Sequence, residues 1–84
     1  MIMSMQEARF SIERQILERH TCVSEWRMFP YPSRSGNLVL ACCELTDGTD
    51  IEQVFDTGVP MDVNMFDEHA MVERFLSMPS REVH

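Results

Sequence analysis

At 84 residues, 44% hydrophobic and 25% charged, the chain is long enough for one domain with a small core and too apolar for wholesale disorder. A net charge of −7 sets it against direct binding of nucleic acid, whose phosphates it would repel. No apolar run approaches the roughly 20 residues of a membrane span, and the start Met1-Ile-Met-Ser-Met5 lacks a signal-peptide pattern, so a cytoplasmic location is expected.

Ser4-Met-Gln-Glu7 fits a capping box, in which the serine oxygen and the glutamate each take one otherwise unpaired N–H at a helix start. Met5, Ala8, Ile12 and Ile16 then share one helical face, which predicts an amphipathic helix over 5–20. Phe10 and Leu17 form a second, narrower stripe suited either to the core or to a partner seam. Arg19 and His20 suit the negative end of the helix dipole.

From Cys22 to Phe29 the side chains alternate in character, as in a strand, and Pro30-Tyr-Pro-Ser-Arg-Ser-Gly36 is expected to close it. The run from Leu38 to Cys43 is apolar at every position and predicts a central strand covered on both faces. One face can take the helices and the other a partner chain. Asp47-Gly48 signals a two-residue type I′ hairpin, with Cys43 opposite Glu52, Ala41 opposite Val54 and Leu40 opposite Phe55. Residues 51–56 are then a third strand, with a short helix as the rival. Asp62 or Asn64 can cap a last helix over 64–78 whose apolar side is Met65, Val72, Phe75 and Leu76, and His69 falls on that side as a packed residue. Pro79 stops the helix and 80–84 form a flexible tail. The fold class is therefore α+β, a single domain in the order helix, three-stranded antiparallel meander over 22–56, helix.

Chemistry-bearing motifs are few. Cys22, Cys42 and Cys43 are an odd set without the paired spacing of a zinc site, and they are expected to be reduced and buried. No glycine-rich phosphate loop is present, and a cysteine nucleophile would need positive surroundings that the acid-flanked strand does not offer. No enzymatic activity, cofactor or metal is expected.

Charge is the informative feature. Residues 1–34 are close to neutral, whereas Ser35–Glu73 hold nine acids and no base. Gathered by folding, Glu44, Asp47, Asp50, Glu52, Asp56, Asp67 and Glu68 would make a surface matched to a basic protein, joined by Tyr31 on the proline loop and by Phe10 and Leu17 as apolar contacts. The expected function is a small acidic inhibitor or adaptor that covers a basic surface of another protein, of the kind phages and mobile elements encode. The alternatives are a housekeeping homodimer whose acids are merely solvating and a redox- or metal-responsive protein using the three cysteines.

Overall fold

A computed structural model describes residues 2–78, so the expected stop at Pro79 and the tail at 80–84 lie outside the described residues. The order is β1 (Met3–Ser4), α1 (Met5–Glu18), β2 (Val23–Tyr31), β3 (Leu38–Leu45), β4 (Asp50–Asp56), a 3-10 turn (Val63–Met65) and α2 (Glu68–Leu76). The protein is a small α+β domain, with β2, β3 and β4 in the expected antiparallel meander. The sheet is nevertheless four-stranded and mixed, in the order β1-β4-β3-β2, because Met3 and Ser4 pair parallel with Phe55 and Asp56. Two residues are too few to show a strand period, so sequence alternation carries no sign of this strand.

Helix α1 starts as its sequence dictates. The Ser4 hydroxyl oxygen accepts from the Glu7 N–H and the Glu7 carboxylate accepts from the Ser4 N–H, each at 3.2 Å. Its far end is shorter than expected. Arg19 caps the helix and His20 turns to φ +52°, so that the His20 and Thr21 N–H groups return to the Leu17 and Ile16 carbonyls. This is a Schellman closure with histidine where glycine is usual.

Met5, Ala8 and Ile12 of α1 and Phe75 of α2 pack on Met28, Val39, Ala41, Cys43, Leu45, Ile51 and Phe55 of the sheet. The rings of Trp26 and Phe55 lie 5.5 and 5.6 Å from that of Phe75, so one aromatic side chain fastens α2 to the sheet. Arg9 of α1 closes the C-terminal end of α2, its guanidinium donating to the carbonyls of Phe75 at 3.0 Å, Met78 at 2.7 Å and Leu76. Both helices thus cover one face of the sheet.

The β3–β4 hairpin differs by one residue from its expected register. Leu45 rather than Thr46 opposes Thr49, and Cys43 pairs with Ile51, Ala41 with Gln53 and Leu40 with Val54. Gly48 alone of Asp47 and Gly48 has positive φ, at +88°, so the loop is three residues, a type I turn followed by a left-handed glycine. Asp47 holds it by accepting from both the N–H and the hydroxyl of Thr49, at 3.0 and 2.6 Å. A Cβ at Gly48 meets nothing within 4 Å, so a substitution there is opposed by backbone strain alone. Gly48→Val is expected to lower stability by about 1–2 kcal/mol, and Gly48→Asn by much less, because asparagine tolerates this conformation. Equal melting temperatures for the two variants would count against this turn.

Two further boundaries are corrected. Pro30 and Tyr31 belong to β2 rather than to the loop after it, which is possible because β2 is an edge strand where a missing N–H breaks no ladder bond. Helix α2 begins at Glu68 rather than 64. Asp62 caps only the 3-10 turn, and it is Asp67 that accepts from the Ala70 N–H at 3.1 Å. Met65 is consequently 79% exposed instead of lining the helix's apolar side. His69 points outward, within 3.5 Å of Glu73, and is not packed.

Candidate functional site

Strand alternation sorts the sheet into two faces. On β3 the residues Val39, Ala41, Cys43 and Leu45 are buried under the helices, while Leu38, Leu40 and Cys42 are half-buried and Glu44 is exposed. Residues opposite one another in register point to the same side. The face away from the helices therefore has four rows across β2, β3 and β4: Glu25–Glu44–Asp50, Arg27–Cys42–Glu52, Phe29–Leu40–Val54 and Tyr31–Leu38–Asp56. One end is a row of carboxylates, and the other is apolar apart from Asp56, whose carboxylate accepts from the Asn37 amide and the Gly58 N–H, each at 2.7 Å.

The first row aligns three carboxylates on adjacent strands about 4.8 Å apart, and like charges directly opposite are destabilising. Arg27 is the one basic residue in the four rows, and it is already engaged. Its guanidinium lies 5.0 Å from the centre of the Phe29 ring and donates to Glu68 across the β2 edge, Nε to Oε2 at 2.8 Å. The same Glu68 oxygen accepts from the Met28 N–H at 2.8 Å. The Arg27 guanidinium first, and the Met28 N–H second, hold the Glu68 carboxyl below the usual carboxylate range.

The expected site residues do not all meet. Glu44, Asp50, Glu52, Asp56 and Tyr31 share the uncovered face, and Asp47 at the hairpin tip lies beyond its anionic end. Asp67 and Glu68 do structural work, as helix cap and as the partner of Arg27 and Met28. Phe10 and Leu17 are on α1, in the layer on the opposite side. Phe10 is half-buried, whereas Leu17 is 55% exposed in a shallow groove with Arg9, Ile16 and Trp26. Glu25 and Arg27 were not expected in this surface, although with Phe29 they share one side of the alternating strand. Their signal was the i, i+2, i+4 spacing that leads to Tyr31, lost when the strand is ended at Phe29.

The cysteines divide by position. Cys22 is exposed, Cys42 half-buried and Cys43 buried, which corrects the expectation that all three are buried. Burial and the nearby Glu52 and Asp50 carboxylates push the Cys42 thiol up, and burial, with Asp50 adding, pushes the Cys43 thiol up to about 11. Among the described residues no group of three or more His, Cys, Asp or Glu side chains is placed to hold a metal ion. No described helix is long and apolar enough to cross a membrane.

The class that fold and face define is a small α+β domain with one helix-covered and one uncovered sheet face. Compared with protein-family models, curated proteins and solved structures, the chain matches none of them.

Proposed function

We propose that the protein works without catalysis, by docking the uncovered sheet face onto another protein that has a basic surface. The observation that carries this reading is the combination on one face of a half-exposed apolar patch, Phe29, Tyr31, Leu38, Leu40 and Val54, with the carboxylates Glu25, Glu44, Asp50, Glu52 and Asp56. Desolvated aromatic and aliphatic side chains supply affinity, and the surrounding charges supply encounter rate and selection of partner. A second copy of the chain suits the face less well, because it would bring five more carboxylates and only an Arg27 that Glu68 already holds. A neutral partner would leave the carboxylate row unrelieved. In its sharpest form the protein is an inhibitor or adaptor that occludes a basic, functional surface of its target.

The test begins with proteins captured from native-host extract and continues with purified components. Glu44→Lys, Asp50→Lys and Glu52→Lys together should slow association by about tenfold at low salt and by less at high salt, since steering of this kind contributes roughly 10–10³ in rate and is screened. Leu17→Lys, on the helical side, should change nothing. If the triple variant associates at the wild-type rate, the acids are a solubility device.

A further inference from the structure

The apolar end of the uncovered face continues into a pocket. Tyr31 and Leu38, the last pair of β2 and β3, form one wall of this pocket of about 200 Å³, which Pro30, Gly36, Met61 and Val63 line along with the loop at 32–33. Its two loops are fastened by backbone bonds rather than by side-chain packing alone. The Met61 N–H donates to the Gly36 carbonyl at 2.8 Å, and the Thr57 N–H donates to the Asn37 carbonyl at 2.9 Å. The Asn37 side-chain amide also donates to Asp56 at 2.7 Å. The pocket is thus held open before anything enters it, and an apolar cavity of roughly 150 Å³ already accepts a benzene ring. Val63 stands 66% exposed at its mouth, an apolar surface left uncovered among the described residues.

We infer that this pocket is the anchor socket of the docking face, taking one aromatic side chain from a basic segment of the partner while arginines of the same segment meet the Glu25–Glu44–Asp50 row. The inference rests on the docking face proposed above and adds to it a spacing. Leu38 and Glu44 are six residues apart on one strand, which at about 3.4 Å per residue separates socket and carboxylate row by about 20 Å. On a partner helix, with about 1.5 Å of rise per residue, that distance corresponds to about 13 residues between the aromatic anchor and the basic group. Charge complementarity fixes the polarity, since the aromatic end must lie over Tyr31 and the basic end over Glu44.

Three alanine-rich helical peptides of about 20 residues test this on the intact protein. One places a tryptophan about 13 residues from a pair of arginines, one sets the same residues about one turn apart, and one has the arginines without the tryptophan. The wide-spaced peptide should bind at least about fivefold more tightly than the other two, as two linked contacts exceed either alone. In NMR titrations it should shift the methyl signals of Leu38, Met61 and Val63 together with the amides of Glu44 and Asp50. Val63→Arg, a change at an exposed position, should erase the advantage of wide spacing while leaving the arginine peptide unaffected. Equal binding of all three peptides, with shifts confined to the carboxylate row, would overturn the socket and leave the acidic docking face standing. No shift at the carboxylate row with any peptide would overturn both.

Discussion

Replacing Phe75 with alanine is expected to destabilise the domain by about 3–5 kcal/mol, the usual range for deleting a buried aromatic ring. Phe75 is fully buried and touches both Trp26 and Phe55. A short helix of nine residues has little stability of its own, and Phe75 is its one fully buried anchor on the sheet, beside the polar ties of Glu68 and Arg9 at its two ends. Domains of this size have on the order of 5–10 kcal/mol in all, and each kilocalorie shifts the melting point by about 4–8 °C. A fall of at least about 12 °C follows, with an early change in fluorescence of Trp26, the chain's one tryptophan. A loss under about 1 kcal/mol in urea unfolding would mean that α2 is held by something other than this contact.

The second large effect is alkaline. The thiol of Cys43 titrates near 9.0 when unfolded and is pushed up to about 11 in the fold. Its folded form therefore keeps a proton that the unfolded form releases. The stabilisation is complete below the unfolded value and is lost as pH rises through the interval to the folded one. Between about pH 8 and about pH 10.5 the wild type should lose about 2 kcal/mol from this group. Cys43→Ala starts less stable, because a buried sulfur is removed, but its stability should fall far less over the same interval. Parallel pH profiles for the two proteins would show that Cys43 is not the group responsible.

Much of the architecture can be read from local chemistry. The capping box at Ser4, the apolar stripe Met5–Ala8–Ile12 and the unbroken run Leu38–Cys43 each specify an element without help from distant residues. What escapes is set by distant partners or by a choice between near-equivalent signals. Met3 becomes a strand only because Phe55 lies beside it. Asp62, Asn64 and Asp67 are all good caps, and the helix follows the last, where Phe75 packs on the sheet and Glu68 meets Arg27 and the Met28 N–H, contacts that local sequence does not show. The hairpin turned on one dihedral. A two-residue loop would have put Glu52 on the side of Cys43, under the helices, whereas the three-residue loop puts it beside Cys42 on the uncovered face. The acidic surface was legible as a count of charges along the chain. Its boundary was not, because Glu25 and Arg27 reach it from the near-neutral part of the sequence, and Asp67 and Glu68 leave it for tasks at the helix start.

Glu68 and Pro30 have a consequence for how this sheet can meet other molecules. An open strand normally invites another chain to extend the ladder, the route to runaway polymerisation. On β2 the Met28 donor is occupied by the Glu68 carboxylate, and two residues on Pro30 has no donor to offer. The opposite margin is β1, two residues long and paired only with Phe55 and Asp56 of β4. Among the described residues the outer edge of β4 from Asp50 to Val54 has no strand beside it, so an added strand would enter there rather than along β2. On the β2 side recognition is left to side chains on the flat of the sheet, where substitutions can change the choice of partner without disturbing a backbone hydrogen bond.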